Sequence, residues 1–385
     1  MRPRTGRAGA GWVCMKQSLK PLREQTLVIT GATSGHGLAT ARKAAAAGAN
    51  VVLVARDEAT LVRVRDEIRA QGGTADFVVA DVGDEAQVEA AAAFAIDRFG
   101  GFDTWVNNAG IGLYGEALEV PTDDHQRIFQ TNYWGVVFGS LAAVRHLKAR
   151  GGGALINVGS VNSDMPSALL GSYNASKHAV KGFTDSLRIE LIQQGEPVSV
   201  TLIKPSAIGT PFPEHGRNTT GFKARLPDPV YAPDLVADAI LFAARHPRRA
   251  ITVGAAGRFQ VFGATVFPLL FDRIASRMSD SIIDRDTPVA KVEGNLYAPQ
   301  GDNGRADGAQ KGRGFSLYTT AARRPGVSLV GLGALVGAGA VGLVLLRRGR
   351  AKTAASAVAA GWKTWSRRAV RAPQHLESRL RAAVR

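Results

Sequence analysis

The chain has 385 residues, a hydrophobic content of 45% and a formal net charge of +16 at neutral pH. This length and hydrophobicity are enough for a real core, so a wholly disordered chain is excluded. The single cysteine, Cys14, excludes an internal disulfide framework and a thiolate metal site. No sequence cluster of histidines and carboxylates has metal-ligand spacing, so we expect no metal centre.

The positive charge lies at the two ends of the chain. Residues 1–20 carry five Lys or Arg and no acidic residue, and residues 347–385 carry eleven against one Glu. The part between them is close to neutral, which argues against a catalytic domain that binds nucleic acid. Because residues 1–23 also lack the apolar run of a signal peptide, we expect them to be a disordered basic extension.

From about Gln25 onward, apolar runs typical of strands alternate with helical patterns. The predicted strands are Leu27–Thr30, Val51–Ala55, Phe77–Ala80, Thr104–Asn107, Ala154–Val158, Val198–Ile203 and Ala250–Val253. The predicted helices are Leu38–Ala47, Asp57–Arg69, Asp84–Phe99, Asp123–Arg150, Leu170–Gln194 and Asp234–Arg245. This alternation predicts an α/β fold, a Rossmann-type doubly wound parallel sheet, in a catalytic domain over residues 24–283.

A glycine-rich turn, Thr30-Gly31-Ala32-Thr33-Ser34-Gly35-His36-Gly37, joins the first predicted strand to the first helix. Its glycines let backbone amides approach a pyrophosphate, and the N-terminus of the following helix favours that negative charge. Two hydroxyls in the turn can add further donors. His36 receives no role from the sequence. The expected cofactor contacts in this turn are Gly31, Thr33, Ser34, Gly35 and Gly37.

Tyr173 and Lys177 lie four residues apart on a predicted helix, which places them one turn apart on the same face. An ammonium beside a phenol favours the phenolate and lowers the tyrosine pKa, which is otherwise near 10. Such a pair can act as an acid and base near neutral pH. A tyrosine and lysine at this spacing are, taken alone, more often a solvated helix pair.

Three further motifs reverse that interpretation. The glycine-rich turn, Asn107-Asn108-Ala109-Gly110, Ser160 and the Tyr173–Lys177 pair follow one another in a fixed order. Together they resemble the short-chain dehydrogenase/reductase (SDR) family, over about residues 24–255. The resemblance implies an oxidoreductase that interconverts a ketone or aldehyde and an alcohol by hydride transfer with NAD(P).

The resemblance also implies a role for each of four catalytic residues. Tyr173 would donate the proton, or accept it in the alcohol-oxidising direction. Ser160 would hydrogen-bond the substrate oxygen. Lys177 would bind the nicotinamide ribose and keep the tyrosine acidic. Asn132 would hold a water that feeds protons to the lysine.

The end of the second predicted strand bears on the choice of cofactor. Position 55 is an alanine where an NAD site would have a carboxylate, and Arg56 can meet a 2′-phosphate. We therefore expect NADP, with NAD as the alternative because Asp57 follows. Asp57 is also suited to cap a helix. The remaining implied cofactor contacts are Asp81 and Val82 at the adenine, Asn108 and Ala109 at the adenosine ribose, and Pro205 and Thr210 at the nicotinamide.

Residues 211–230 are predicted to form a substrate lid, in which Phe212, Phe222 and Leu226 suggest a pocket for apolar groups. The apolar stretch Phe259–Phe271 is too short to span a bilayer. It can cover the pocket, lie in a membrane surface or simply pack against the core. In the turn before the lid, Ser206 stands where the family usually has a glycine.

The C-terminal third changes character. Residues 284–325 are polar and rich in Gly, Asp, Arg and Lys, which predicts a linker. Residues 326–346 are predicted to be a transmembrane helix, because the uncharged run Val327–Leu346 would span about 30 Å. The alternatives are a flexible Gly/Ala tail or a buried helix of a soluble protein. Residues 347–385 form a basic tail, which either crosses the membrane or stays beside a segment that enters without crossing.

The leading hypothesis is an NADP(H)-dependent oxidoreductase that acts on a hydrophobic substrate, is associated with a membrane and has its catalytic domain in the cytoplasm. If the C-terminal segment does not insert, the protein is expected to be cytoplasmic. A homo-oligomer is compatible with the sequence, and no nucleic-acid partner is expected. The alternative is a membrane-tethered Rossmann binding protein without turnover, against which the four catalytic residues argue.

Overall fold

A seven-stranded parallel sheet forms the centre of this computed structural model, which describes residues 18–277, 279–300 and 303–323. The strands are β1 Thr26–Thr30, β2 Asn50–Ala55, β3 Thr74–Val79, β4 Thr104–Asn107, β5 Gly153–Val158, β6 Val198–Pro205 and β7 Ala250–Val253. Their order is β7-β6-β5-β4-β1-β2-β3. All seven predicted strands are present, and the Rossmann-type prediction is confirmed.

The sheet has its topological switch point at β1, which pairs with β2 on one side and with β4 on the other. In register, Val28 lies between Val52 and Trp105. The connections that follow β1 and β4 leave the sheet in opposite directions and so open a crevice at its carboxyl end. Ligands bind in this crevice in open α/β folds.

Helices cover both faces of the sheet. They are α1 Gly35–Ala46, α2 Glu58–Ala70, α3 Glu85–Phe99, α4 Thr122–Phe129, α5 Gly135–Ala149, α6 Gly171–Gln194, α7 Phe212–His215, α8 Pro233–Ala243, α9 Ala255–Val266, α10 Pro268–Ala275 and α11 Leu317–Arg323. Side chains of β1 alternate between the two covered faces. Leu27 and Ile29 pack in the cluster with α1, α2 and α8, whereas Val28 packs with α3, α5 and α6. Every residue of β1 is buried, as expected for a central parallel strand.

The long helix predicted from Asp123 to Arg150 is interrupted. A five-residue π-helical turn, Gln130–Trp134, separates α4 from α5. The turn contains Asn132, which is fully buried and bonded to a neighbouring loop. A π turn adds one residue to the helical repeat and is frequent at functional sites, and the apolar periodicity of the sequence does not show it.

Two small strand pairs lie outside the central sheet. Leu113–Tyr114 runs parallel to Arg217–Asn218, and Phe222–Ala224 runs antiparallel to Ile283–Pro288. Both pairs involve the predicted lid, residues 211–230, which therefore carries strand structure of its own.

The structure differs from the predicted linker at 284–325. Up to Arg323, where the compact unit ends, this segment forms part of a strand, helix α11 and many bonds to the catalytic domain. Thr319 on α11, for example, is fully buried and accepts a hydrogen bond from the Gly254 amide at 3.1 Å. The segment has the polar composition of a linker, but its polar groups form hydrogen bonds with the catalytic domain.

The N-terminal boundary also differs. Lys20, in the predicted basic extension, forms an ion pair with Asp103 at 2.7 Å, and Leu22 is buried in the core. The fold therefore includes residues before 24. Among the described residues, no helix is both long enough and apolar enough to cross a bilayer. The predicted transmembrane helix, 326–346, and the basic tail, 347–385, lie outside the described residues, as do residues 1–17 of the extension.

Candidate active site

The Tyr173–Lys177 pair lies in the first two turns of α6, at the carboxyl edge of the sheet. The Lys177 ammonium is 5.8 Å from the centre of the Tyr173 ring and donates to the Val158 carbonyl at 3.0 Å. Because Val158 ends β5, this bond fixes the lysine to the sheet. The helix therefore presents the phenol and the ammonium side by side, as the spacing predicts.

Ser160 follows β5 and faces the same tyrosine. Its hydroxyl accepts from the Asn162 amide at 3.1 Å, and its own amide donates to the Ser163 hydroxyl at 3.1 Å. This reciprocal capping fixes a short helical turn, Val161–Ser163. A side-chain hydrogen bond joins Ser160 to Tyr173. The two hydroxyls thus meet at one point, where a substrate oxygen can approach both.

Burial dominates the electrostatics of the pair. It raises the pKa of Tyr173 to about 12, and the hydrogen bond with Ser160 opposes this shift. Burial also lowers the pKa of Lys177 to about 8. The sequence predicts a lowered tyrosine pKa, and in the structure the cost of a buried phenolate outweighs the neighbouring ammonium.

Asn132 lies behind the lysine, in the π-helical turn. Its side-chain oxygen accepts from the Ile111 amide at 2.9 Å, and its side-chain nitrogen donates to the Ile111 carbonyl at 3.0 Å. A side chain at Gly110 would stand 3.4 Å from the Asn132 oxygen and 3.5 Å from the Lys177 nitrogen. Gly110 therefore keeps the two polar groups next to a common space.

The glycine-rich turn forms one wall of a groove along the carboxyl edge. Gly31 and Gly35 have φ angles of +66° and +56°, in the left-handed region that favours glycine. Gly37 serves a different need, since any side chain there would collide with the Gly31 carbonyl and the Asn108 amide. The turn is therefore closed tightly against Asn108.

Asn108 holds this turn to the sheet. Its side chain donates to the Thr30 carbonyl at 2.8 Å, and the Thr30 hydroxyl accepts from the amides of Asn108 and Ala109. His36, to which the sequence gives no role, lies with its Nδ1 2.5 Å from the Asn108 side-chain oxygen. Burial lowers the pKa of His36 to about 4, so the imidazole is neutral at physiological pH.

Arg56, at the end of β2, lies at the far end of the groove. It donates to the carbonyls of Asn295 at 2.5 Å and Tyr297 at 3.1 Å, and Asp81 is 4.0 Å away. Asp81 in turn accepts from Arg127 at 2.5 Å. Arg127 was not found from the sequence, because its partner is 46 residues away and no motif contains it.

The segment predicted as a linker covers this groove. We call residues 292–300 and 303–313 the covering segment. Its Asn303 side chain donates to Asp57 at 2.8 Å, and the Arg305 carbonyl accepts from the Gly35 amide at 2.9 Å. The Gly304 amide donates to the Thr33 carbonyl at 2.8 Å. The sequence carries no signal for this placement, since each of these three bonds joins residues more than two hundred positions apart.

The groove and the cavity beside it bring most of the predicted site residues together. The groove is lined by Gly31, Thr33, Ser34, Gly35, Arg56, Asp81, Val82, Asn108, Ala109 and Thr210. The adjoining cavity is lined by Ser160, Tyr173, Lys177 and Pro205, and shares Asn108 and Thr210 with the groove. Gly37 and Asn132 line neither, and act on the site through the neighbours described above.

The groove suits an elongated ligand with anionic and polar groups. It offers the positive end of the α1 helix dipole, the Arg56 guanidinium and the Ser34 hydroxyl. The Thr131 hydroxyl and the Asn295 side-chain oxygen are buried and have no hydrogen-bond partner among the residues that the structure describes. Both residues line the groove, so a polar ligand can satisfy them. These residues fit a nicotinamide dinucleotide.

Ser206 explains how the loop tolerates a departure from the family pattern. Its hydroxyl and its amide both donate to the Val253 carbonyl at 2.9 Å. The serine therefore ties the loop to β7, and Thr210 still reaches the glycine-rich turn. A side chain at Gly35 would stand 3.2 Å from the Thr210 side chain.

The adjoining cavity has a volume of about 470 Å³ and mostly apolar walls. Phe212 and Leu226 line it as predicted, but Phe222 does not, because its strand pairs with Ile283–Pro288 instead. The Phe212 ring packs on Tyr173 with ring centres 5.4 Å apart. The apolar lining that the sequence did not identify includes Tyr114, Val161, Met165, Leu170 and Ile282.

Comparison with known proteins places this geometry in a family. A family model described as short chain dehydrogenase matches residues 25–220. The chain is 42% identical over 325 residues to the uncharacterized oxidoreductase YxnA of Bacillus subtilis, covering 83% of this chain and 91% of the relative. It is 36% identical over 192 residues to the granaticin polyketide synthase putative ketoacyl reductase 1 of Streptomyces violaceoruber, covering 49% and 70%.

A solved structure agrees with these relatives. The short chain dehydrogenase/reductase of Burkholderia phymatum, determined in complex with NAD, superposes with a TM-score of 0.60 and 29% sequence identity. The match covers 66% of this chain and 96% of the Burkholderia chain. A nicotinamide cofactor is thus bound by a protein of the same fold and detectable sequence similarity.

Proposed function

The chain belongs to the short-chain dehydrogenase/reductase family, an oxidoreductase acting with NAD(P) on CH–OH groups, and from this premise we propose its substrate class, cofactor and catalytic residues. The reaction is the interconversion of a hydrophobic ketone or aldehyde with its alcohol, using NADP(H). The observation that carries the proposal is the meeting of Ser160 and Tyr173 at the wall of an apolar cavity, with Lys177 behind them.

Tyr173 is the proton donor in the reducing direction. Its phenol lies at the cavity wall, and burial favours the protonated form, which suits a group that must give up its proton only as negative charge develops on the substrate. Ser160 donates a hydrogen bond to the same substrate oxygen and stabilises that charge. The nicotinamide, when bound, supplies the hydride or accepts it.

Lys177 and Asn132 serve the tyrosine. Because burial lowers the pKa of Lys177 to about 8, this lysine exchanges its proton near physiological pH. As its proton moves, it can resupply the phenol between turnovers. Asn132 and Gly110 border the space beside the lysine nitrogen, which supports a polar path for that proton. The same ammonium is suited to bind a ribose hydroxyl of the cofactor.

The preference for NADP(H) rests on Arg56. A guanidinium has five N–H donors, and the bonds to Asn295 and Tyr297 engage two of them. The others are left for a 2′-phosphate, and Ala55 places no carboxylate beside them. Asp57 caps α2 and accepts from Asn303, which leaves it poorly suited to hold a ribose diol.

The membrane context is a proposal from the sequence outside the described residues. The uncharged run Val327–Leu346 followed by a basic tail supports attachment to an anionic membrane, with the catalytic domain in the cytoplasm. The alternative, a Rossmann binding protein without turnover, is disfavoured by family membership and by the retention of Asn132, Ser160, Tyr173 and Lys177.

The test is turnover by purified full-length protein with NADPH and a panel of hydrophobic ketones and aldehydes, followed by NADPH absorbance. Tyr173→Phe keeps the ring but removes the transferable proton, so turnover should fall by about 10²–10⁴-fold while NADPH still binds. Tyr133→Phe is the matched control, because this ring packs against Phe183 and lines neither groove nor cavity. Full turnover by Tyr173→Phe would refute the catalytic assignment.

A further inference from the structure

The α9–α10 hairpin carries apolar side chains that the described part of the chain leaves exposed. Helix α10 contains two leucines, a phenylalanine and an isoleucine, yet none of its residues is buried. On α9 only Gly257 and Val261 are buried. The exposed large apolar side chains of this hairpin, the apolar face, are Phe259, Phe262, Val266, Phe267, Leu269, Leu270 and Ile274. Exposed apolar groups gathered on two consecutive helices indicate an interaction surface.

The hairpin is fixed to the catalytic domain beneath this face. Val261 and Phe271 pack against Val161 and Met165, which also line the substrate cavity. The apolar face and the cavity are therefore two sides of one thin wall. Phe259 and Ile274 belong to both, since they are exposed on the outside and line the cavity. The exposed face thus adjoins the cavity in which the substrate is proposed to react.

The charge of the hairpin favours an anionic partner. Arg258, Arg273 and Arg277 are exposed on it, and Asp272 is its single acidic residue. Apolar side chains flanked by arginines are the composition of elements that lie in the interface of an anionic membrane. The last described helix, α11, packs against α9. The uncharged run Val327–Leu346 follows α11 in the sequence.

We propose that the apolar face of α9–α10 docks on an anionic lipid surface and that the substrate enters the cavity from that surface. The second part rests on the proposed oxidoreductase function, and it narrows the substrate class to lipophilic ketones or alcohols that partition into membranes. A protein partner bound at this face would cover side chains that line the cavity and would supply no substrate. A lipid layer at the same place contains apolar molecules that can enter the cavity.

The test places a fluorescent probe on the face in the full-length chain. Leu269, which is 79% exposed, is replaced by cysteine in a Cys14→Ser background and labelled with an environment-sensitive nitrobenzoxadiazole group. The matched control is Ile192→Cys. Ile192 is 62% exposed and lies near the C-terminal end of α6, at the edge of the sheet where β6 begins. Both substitutions are at exposed positions and should leave the fold intact.

We expect the label at 269, but not the label at 192, to shift to shorter wavelength on addition of vesicles of phosphatidylcholine and phosphatidylglycerol. Nitroxide-labelled lipid should then quench the label at 269. An unshifted label at 269 on protein that sediments with the vesicles would mean attachment through the tail alone, and would overturn the proposal. Emission of the label at 269 that is already blue-shifted before vesicles are added would also overturn the proposal. If that shift depends on protein concentration, a second copy covers the face, and if it does not, the chain's own C-terminal segment covers it. None of these readouts uses turnover, so the docking proposal fails or succeeds separately from the proposed function.

Discussion

At the scale of single residues, the proposed preference for NADP(H) depends on the position of Arg56. The guanidinium is partly buried, which lowers its pKa, and its orientation is fixed by two backbone carbonyls rather than by a flexible surface contact. An oriented arginine loses less side-chain entropy when it binds a phosphate. The carbonyls of Asn295 and Tyr297 therefore prepare Arg56 for a 2′-phosphate.

We predict that the double variant Ala55→Asp, Arg56→Leu shifts the preference from NADP(H) toward NAD(H). The carboxylate supplies an acceptor for the ribose diol and repels a 2′-phosphate, and the leucine removes the phosphate ligand. The measurement is kcat/KM with each cofactor at fixed substrate. The control is Arg65→Leu on the neighbouring helix, because Arg65 pairs with Asp66 and does not line the groove. Tighter binding of NADH than NADPH by the wild type would contradict the assignment of Arg56.

The sequence identifies the residues of the site that sit in short motifs. Gly31, Ser160, Tyr173 and Lys177 could be named because their chemistry demands particular residue types at particular spacings. Arg127 and Asn295 could not, because their contributions depend on partners far away in the chain. The pKa of Tyr173 could not be predicted either, since burial depends on packing that no spacing shows.

At the scale of elements, the glycine-rich turn and the covering segment both line one groove. The first is held by local backbone geometry and the second by side-chain and carbonyl bonds to the turn, to β2 and to α2. A cofactor lying in this groove would contact both. We therefore expect the covering segment to contribute to the affinity for cofactor, although its polar composition is that of a linker.

Asn303→Ala tests that contribution. The change removes the side-chain bond to Asp57 and leaves the carboxylate cap of α2 to solvent. Loss of one hydrogen bond to a charged group should weaken NADPH binding by about 3- to 10-fold. Fluorescence titration of NADPH measures the effect, with the exposed Gln71→Ala at the other end of α2 as a control. Unchanged or tighter binding would mean that the covering segment does not support the cofactor.

The sequence predicts most of the helices up to α8, but not the short α7 or the later α9, α10 and α11. The alternation of strands and helices and the glycine stops were sufficient to place β1 to β7 and most helices. The π-helical turn at Gln130–Trp134 was not predicted, because one added residue hardly changes the apolar pattern. That residue shift turns Asn132 toward Ile111, where both polar atoms of its side chain are bonded.

At the scale of the whole molecule, the described chain is longer than the motifs suggest. The family model ends at residue 220, whereas the compact unit continues to Arg323. The added residues include α8, β7, the hairpin α9–α10, the covering segment and α11. The hairpin lines the cavity and the covering segment lines the groove, so the part of the chain outside the motifs shapes both ligand sites.

The last prediction concerns the C-terminal residues beyond this unit. The uncharged run Val327–Leu346 has the length of a bilayer core, and the basic tail adds about 1 kcal/mol of attraction to anionic lipid per Lys or Arg near the surface. Salt screens the tail but not burial of the apolar run. We therefore expect full-length protein to stay with membranes after a high-salt wash, as measured by fractionation.

The comparison is a chain that ends at Arg323 rather than earlier, because a cut near Arg313 would remove α11 and leave the Gly254 amide without the Thr319 hydroxyl. This shorter chain keeps every proposed site residue and the covering segment, so its turnover should equal that of the full-length protein. Any membrane binding that it retains must come from the described residues, the α9–α10 face included, and should be far weaker. Release of the full-length protein by salt would show that the basic tail, and not the apolar run, holds the protein at the surface. Loss of turnover in the shorter chain would show that residues beyond Arg323 belong to the catalytic fold.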